Sequence, residues 1–294
     1  MTSATSHDDD HQEPRFILYL QGAAYQTAIR HLAEWVHFAL LPLYGKEETP
    51  SSPWCPLWWK HPEAVARLHG LFMAWHDLTS ETYERSGPSS WHRDHLGTTM
   101  EELRDPRGTL AGCKAGRHQA KEAPLTEEYT TPPKSTADST RRTTPEFIFY
   151  LEDDGYNAEL QKLTSWVRYL IMPYYGRERS SDAPWCSRWW EHPEAVGRFH
   201  ALWMAWDDLT GWDTDLTGPS VWHRDHLGPV LRALRHPAGP FAGCRPGYHR
   251  ALAPPRVEPF PRDAPPPFTP APTGYLPDGQ GAFAQRHYPP PLRQ

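Results

Sequence analysis

The chain of 294 residues is poor in apolar residues and has no long hydrophobic run. Only 38% of its residues are hydrophobic, below the ~45–50% of an ordinary globular protein. No apolar run approaches the ~18–20 residues of a membrane span. The first fifteen residues are polar and acidic, without the apolar core of a secretory signal. The composition therefore predicts a cytoplasmic protein that does not enter a membrane.

Positive charge and known catalytic motifs are also scarce. Lysine and arginine number 30 against 36 aspartate and glutamate, which gives a net charge of −6. This balance argues against a protein whose whole surface binds nucleic acid, although a local basic patch stays open. The sequence contains neither a glycine-rich phosphate loop nor a His-Glu-x-x-His motif. Nucleotide hydrolysis and zinc-peptidase chemistry therefore have no support.

Aromatic residues are abundant, and they belong to an internal repeat. The segment FILYL at 16–20 returns as FIFYL at 147–151, and Trp35 returns as Trp166, each 131 positions further on. The same offset relates 14–119 to 145–250 without a gap, and all 14 tryptophans lie within these two copies. Each copy has the size of a small domain. The sequence predicts two similar domains in tandem, which we expect to fold independently.

The segments outside the two copies differ from them in composition. Residues 1–13 are acidic, residues 120–144 are polar with three prolines, and residues 251–294 contain 13 prolines but no tryptophan. Segments of this kind bury too little apolar surface to offset the entropy lost on ordering. We therefore expect a disordered N-terminus, a flexible linker and a disordered proline-rich tail.

Apolar residues at helical spacing predict a mainly α fold with long loops. A first helix is predicted over residues 25–41, ended by Pro42. A second begins at Pro62, where Glu63 suits the first turn, and a third short helix is predicted over 98–104. The second copy repeats this pattern, whereas FILYL is too short to assign as strand or helix.

Two cysteines and two histidines per copy have a spacing that indicates a zinc site. Zinc prefers four nitrogen or sulfur ligands in a tetrahedron, usually supplied as two local pairs. The candidate ligands are Cys55, His61, Cys113 and His118 in the first copy, and Cys186, His192, Cys244 and His249 in the second. A structural zinc ion would hold together a small domain with long loops. Buried thiols and a disulfide are the alternatives, and a reducing cytoplasm disfavours the disulfide.

A second titratable cluster lies in the motif Trp-His-Arg-Asp-His-Leu. Its members are His92, Asp94 and His95 in the first copy, and His223, Asp225 and His226 in the second. Such a cluster can bind a metal or transfer protons, and His95 and His226 are the alternative fourth zinc ligands. Because no partnered nucleophile accompanies the motif, we favour a helix start that Asp94 caps. We assign no catalytic residue.

A third motif, Pro-Trp-Cys-x2-Trp-Trp, clusters tryptophans at 53–59 and 184–190. Tryptophans of this kind can stack on bases or bind a peptide, but more often they fill a core, which we favour. Lys60 is replaced by Glu191 in the second copy. A phosphate contact at this position would not survive that reversal of charge.

The motifs Trp-Cys-x2-Trp-Trp-x-His-Pro-Glu-Ala-Val-x-Arg, Ala-Trp-x-Asp-Leu-Thr and Trp-His-Arg-Asp-His-Leu together resemble the bacterial domain-of-unknown-function family DUF4913. The resemblance covers both copies and implies a small cytoplasmic domain associated with plasmids and phages, without an assigned activity. Our favoured hypothesis is a non-enzymatic binding or adaptor protein of a mobile element with an unknown protein partner. The alternatives are a metal-dependent hydrolase or nuclease and a DNA-associated accessory protein.

Overall fold

The fold is mainly helical in the part of the chain that the computed structural model describes, which is residues 16–80, 83–114, 117–130, 146–211 and 214–253. The predicted N-terminal segment, residues 131–144 of the predicted linker, and residues 254–294 of the predicted tail lie outside this part. Isolated β-bridges occur within it, but no strand does. The predicted mainly α class is therefore confirmed. Among these helices, none combines the length and apolar character needed to cross a bilayer.

The first copy is built around one central helix, α3, which the other helices surround. FILYL forms a short 3-10 turn, Ile17–Tyr19, rather than a strand. The α-helices of this copy are α1 (Gly22–Trp35), α2 (Leu41–Tyr44), α3 (Pro62–Leu78), α4 (Gly87–Ser90) and α5 (Gly97–Leu103).

The second copy repeats these elements in the same order, which confirms the tandem arrangement. A 3-10 turn, Ile148–Tyr150, again precedes the first helix. Its α-helices are α6 (Asp153–Trp166), α7 (Met172–Tyr175), α8 (Pro193–Thr210), α9 (Gly218–Val221) and α10 (Gly228–Leu234).

Two helices extend beyond the predicted boundaries, because π-helical turns join neighbouring α-helices. Val36–Leu40 joins α1 to α2, and Trp91–Leu96 joins α4 to α5. The prediction that Pro42 ends the first helix is wrong. The amide of Leu41 donates to the carbonyl of Val36, one residue further back than in an α-helix. This shift in register places the proline where its missing N–H leaves no gap in the bonding pattern.

In each copy, a tryptophan that follows a short helix, α4 or α9, bonds this part of the chain to the central helix. The indole of Trp91 is fully buried and donates from Nε1 to the carbonyl of Leu71, at 3.2 Å. Trp222 makes the same bond to the carbonyl of Leu202, at 3.2 Å. A buried indole needs a partner for its N–H, and these two find one in a helix backbone. In each copy, this bond ties the helical segment that contains the tryptophan to the central helix.

The two copies pack against each other, a contact that the sequence did not indicate. Their buried side chains form one continuous hydrophobic core. Phe16 of the first copy packs against Trp206 and His223 of the second, with ring centroids 5.7 Å and 5.9 Å apart. Gly70 on α3 permits a close approach, because a Cβ there would lie 3.2 Å from the backbone nitrogen of Ser220.

A buried charge network lies at the contact between the copies. Arg67 of the same helix donates to the carboxylate of Glu63 at 2.9 Å, and Arg177 of the second copy donates to it at 2.8 Å. Burial by itself raises the pKa of Glu63, but the guanidinium groups of Arg177 and Arg67 lower it to about 2. The carboxylate is therefore ionised at neutral pH and bridges the two copies.

Part of the predicted linker packs on the second copy. The amide of Glu127 donates to the carbonyl of Ser187 at 3.0 Å, and the Ser187 hydroxyl donates to the Glu127 carboxylate at 2.6 Å. The ring of Tyr129 lies edge-on to Trp190, with centroids 5.9 Å apart. Residues 124–129, called the strap below, therefore reach from the first copy across the second.

We expect the proline-rich tail to be dispensable for folding. Residues 251–253 are exposed, and the segment beyond them has too few apolar residues to contribute a core. A chain that ends at residue 250 should keep the melting midpoint of the full chain, as measured by thermal unfolding at low protein concentration. A midpoint lower by more than about 4 °C would show that the tail stabilises the folded copies.

Candidate metal centres

The four predicted zinc ligands of each copy converge into one cluster. Within each cluster, the ligand atoms all lie within 4.8 Å of one another. The clusters are Cys55, His61, Cys113 and His118, and Cys186, His192, Cys244 and His249. Each can hold a metal ion. Among the described residues, no other group of three or more histidine, cysteine or acidic side chains comes together in this way.

The start of the central helix positions two of the ligands. His61 stands immediately before α3, at the position that Pro62 follows. Cys55 precedes a 3-10 turn that leads into this helix, and both side chains are buried. The amide of His61 donates to the carbonyl of Trp58 at 3.0 Å, which holds the loop against the helix end. The local fold therefore directs both side chains to one side of the helix start.

A tight turn after the last helix supplies the other two ligands. In the second copy, Arg245 and Tyr248 exchange two backbone hydrogen bonds of 2.9 Å, so the ligands that flank them are brought together. Gly243 adopts a φ of 82°, a left-handed conformation that glycine tolerates best. Cys244 and His249 thus face the start of α8 from a closed loop.

The sulfur–nitrogen distances match the edges of a tetrahedral zinc centre. Ligands at 2.3 Å and 2.0–2.1 Å from zinc, at a tetrahedral angle, are about 3.6 Å apart. Cys55 Sγ lies 3.6 Å from His118 Nδ1, and Cys113 Sγ lies 3.4 Å from His61 Nε2. The corresponding distances in the second copy are both 3.5 Å.

Burial keeps these thiols and imidazoles neutral when no ion is bound, so zinc binding must release a proton from each cysteine. All four cysteines are buried and free of disulfide bonds. Burial raises the pKa of Cys55 to about 11 and that of Cys186 to about 12, and it lowers the pKa of His61 and His192 to about 4. Neutral imidazole is the form that binds zinc. Two thiolates would balance the charge of Zn²⁺, so that no net charge is buried.

Backbone amides donate to one sulfur atom in each cluster. The amide of Gln119 lies 3.3 Å from Cys113 Sγ, and the amide of Arg250 lies 3.4 Å from Cys244 Sγ. The donor set and the distances are compatible with a bound zinc ion.

The two clusters differ in the residue that supports the second histidine. In the second copy, the carboxylate of Glu191 lies 3.3 Å from His249 Nε2, while the other ring nitrogen faces Cys186. A carboxylate in this position fixes the orientation of a metal-binding imidazole and raises its basicity. The first copy has Lys60 at the equivalent position and lacks this support.

We expect Glu191→Lys to weaken zinc binding at the second cluster by about 10-fold or more, because the supporting carboxylate is lost. Competition with a chromophoric chelator measures the affinity of both sites. The matched control is Lys60→Glu, which should leave the first site at least as tight as before. Equal affinities in Glu191→Lys and the unchanged chain would refute the supporting role.

Among the described residues, the side chains of the Trp-His-Arg-Asp-His-Leu motif do not come together into a group that could hold a metal ion. It lies within a continuous helix that begins at Gly87, so the prediction that it starts a helix is wrong. Asp94 makes no capping bond and instead accepts two bonds from Arg93, at 2.7 Å and 2.6 Å. His95, the alternative zinc ligand, lies 2.8 Å from Ser220 of the second copy.

The remaining members of the motif are held by other partners. His92 lies 2.8 Å from the Tyr44 hydroxyl, and His223 lies 2.9 Å from the Tyr175 hydroxyl. In the second copy, Asp225 accepts bonds from its neighbouring arginine. His226 belongs to neither metal cluster, so the structure places no alternative ligand near the zinc sites.

The clustered tryptophans are mainly core residues, as the sequence analysis favoured. Trp58 and Trp189 are buried, and Trp185 also lies in the core of its copy. Trp59 is the exception, with 47% of its surface exposed. Its equivalent Trp190 is covered by the strap. The sequence alone could not reveal this difference, because it depends on the strap that packs on Trp190.

Comparison with known proteins adds a family but no activity. The sequence profile of the family described as Domain of unknown function (DUF4913) matches residues 29–133 and 160–263. The two matches correspond to the two copies, and each extends beyond the last zinc ligand. Neither a curated protein nor a solved structure matches the chain.

Proposed function

Because the chain belongs to the DUF4913 family through both of its copies, and that description assigns no activity, we propose a function from geometry alone. The chain is a non-catalytic binding or adaptor protein whose two copies are each stabilised by a structural zinc ion. The observation that carries the proposal is the convergence of four buried protein ligands in each copy.

The ligand set favours a structural ion over a catalytic one. Catalytic zinc sites keep three protein ligands and leave the fourth position to water or substrate, whereas structural sites use all four. Here two cysteines and two histidines complete the tetrahedron. In the first copy, Cys55, Cys113 and His61 are exposed by 3% or less of their surface. A substrate therefore has no open coordination position, which argues against the metal-dependent hydrolase or nuclease.

Exposed aromatic side chains support a binding role. Phe38 is 75% exposed and its equivalent Tyr169 is 69% exposed, so both copies present a large ring to solvent at the same position. Aromatic residues contribute strongly to protein–protein contacts. The negative net charge favours a protein partner over nucleic acid. We place this role in the reducing cytoplasm of a bacterium that carries a plasmid or phage, where the free cysteines stay reduced.

Metal content and activity test the proposal together. Mass spectrometry of untagged protein should find two zinc ions per chain that survive dialysis. Phosphodiester, ester and peptide substrates should not be turned over after zinc, manganese or magnesium is added. Turnover that depends on an added metal would overturn the non-catalytic assignment, and a chain that folds without bound zinc would overturn the structural site.

A separate experiment tests the adaptor role. We expect the protein to capture a specific partner from cells that carry the mobile element, and Phe38→Ala with Tyr169→Ala to reduce that capture. Lys162→Glu, a change at an exposed residue of α6, is the control. Capture that the two aromatic substitutions leave unchanged would contradict the role given to these rings.

A further inference from the structure

The contact between the two copies is head-to-tail. The first copy contributes one surface, called the front face, formed by Phe16, Glu63, Arg67 and His95. The second copy contributes a different surface, called the back face, formed by Arg177, Pro219, Ser220 and His223. An interface between two unlike faces is heterologous. It leaves the back face of the first copy and the front face of the second copy without a partner copy.

The matching faces are open among the described residues. On the front face of the second copy, Glu194 is 51% exposed and Arg198 is 41% exposed. Their equivalents Glu63 and Arg67 in the filled contact are each 3% exposed. On the back face of the first copy, Ser89 and His92 are exposed, whereas their equivalents in the second copy are buried.

The open faces keep most of the side chains of the filled contact, apart from the pair of Glu102 and Arg232, whose equivalents are Ala233 and Glu101. The open front face consists of Phe147, Glu194, Arg198 and His226, each identical to its equivalent in the first copy. The open back face consists of Lys46, Pro88, Ser89 and His92, where only Lys46 differs from its equivalent, Arg177, and keeps its positive charge. The carboxylate of Glu194 and the ammonium of Lys46 are therefore complementary, as Glu63 and Arg177 are.

We propose that the chain binds a second copy of itself head to tail. The front face of the second copy of one chain docks on the back face of the first copy of the next chain. The contact within the chain is the template for this contact between chains, with Glu194 meeting Lys46 and His226 meeting Ser89.

The strap supports the same direction of assembly. Within the chain, residues 124–129 (PLTEEY) leave the first copy and cover Trp190 of the second. Residues 255–260 (PRVEPF) stand at the equivalent place after the second copy and repeat the proline, the glutamate and the aromatic residue. The equivalent of Trp190 in the first copy is Trp59, which is 47% exposed. Residues 255–260 of one chain would thus cover Trp59 of the next.

The differences between the filled and the open faces make the contact between chains looser than the contact within the chain. Gly70, over which Ser220 packs, is replaced by Ala201 on the open front face. The added Cβ requires the neighbouring backbone to move by a few tenths of an ångström, because it would otherwise lie 3.2 Å from a backbone nitrogen. The association is therefore reversible and depends on protein concentration.

Analytical ultracentrifugation tests the proposal by charge reversal. The full chain should rise above its monomer mass of 33.8 kDa as its concentration increases from micromolar to submillimolar. Lys46→Glu and Glu194→Lys should each weaken association by about 30-fold or more, because like charges then face each other. An equimolar mixture of the two variants should restore it, since each altered face then meets an opposite charge. A chain that stays monomeric, or variants that associate unchanged, would overturn the proposal.

Two further variants separate a specific contact from general charge effects. Lys162→Glu makes the same change in net charge as Lys46→Glu, but on α6, where the equivalent position, His31, is exposed. It should associate as the unchanged chain does. Phe260→Ala should weaken association without changing the melting midpoint of the monomer. Loss of association in Lys162→Glu would show a nonspecific effect and overturn the proposal. Unchanged association in Phe260→Ala would overturn the part assigned to residues 255–260.

Discussion

Replacing Cys244 by serine is expected to release one of two zinc ions and to abolish cooperative folding of the second copy. The thiolate is one of only four ligands, and a serine hydroxyl is a poor substitute for it at neutral pH. Zinc binding to structural sites is worth about 10–16 kcal/mol, whereas whole domains are stable by only about 5–15 kcal/mol. Losing the ion therefore removes an amount comparable to the entire stability of the fold.

Zinc content and circular dichroism measure the two parts of this result. The Cys244→Ser chain should contain one zinc ion per chain and lose a large part of its cooperative thermal transition. Because the two copies share one core, we expect the first copy to melt at a lower temperature as well. Cys113→Ser should give the mirror-image result in the first copy.

The control for these variants is His226→Ala, which changes the alternative ligand outside the metal cluster. It should keep two zinc ions per chain. If Cys244→Ser also keeps two zinc ions and its melting midpoint, the thiols are buried core residues and the metal assignment is wrong. A chelator provides a second test. It should lower the melting midpoint of the unchanged chain if zinc is bound, but not if the thiols are buried core residues without a metal.

The metal clusters could be predicted from the sequence because their ligands are local pairs that occur twice. Cys113-x4-His118 spans a single turn, and its repetition at Cys244-x4-His249 marks the pair as specific. What the sequence could not show is why His61, rather than His95, completes the set. That choice depends on where α3 begins relative to the last loop, and spacing along the chain does not contain this information.

The helix ends were mispredicted for a physical reason. A π-helical turn adds one residue to the usual bonding pattern. A proline that is expected to end a regular α-helix can therefore lie within a helix that contains such a turn. At Pro42 this happens after Val36–Leu40. The same kind of turn, Trp91–Leu96, absorbs the Trp-His-Arg-Asp-His-Leu motif. A motif that looks like a helix start thereby becomes the middle of a helix.

The contact between the copies could not be predicted, because its residues are identical where they are buried and where they are exposed. Glu63 and Glu194 occupy the same place in the same His-Pro-Glu-Ala-Val motif. Only Glu63, however, contacts a residue of the other copy, Arg177. Both also suit the first turn of a helix, where a negative charge is favourable. Nothing local in the sequence indicates which of the two is bridged.

This identity allows a direct comparison, in which Glu63→Ala should destabilise the chain far more than Glu194→Ala. Removing Glu63 leaves the guanidinium groups of Arg67 and Arg177 without their buried partner, which costs about 3–5 kcal/mol in comparable pairs. Removing Glu194 breaks only an exposed pair within its own helix and should change stability by about 0.5 kcal/mol or less. Denaturant unfolding measures the free energy of each variant.

The two variants share every local effect, so their difference isolates the contact between the copies. Helix propensity and the charge at the helix start change equally in both, because each glutamate is the second residue of its helix. Replacing both Glu63 and Arg177 by methionine should recover part of the loss, since two apolar groups leave fewer unpaired charges buried. Equal destabilisation by Glu63→Ala and Glu194→Ala would mean that the copies do not dock through Arg177 in solution, and the head-to-tail template would lose its basis.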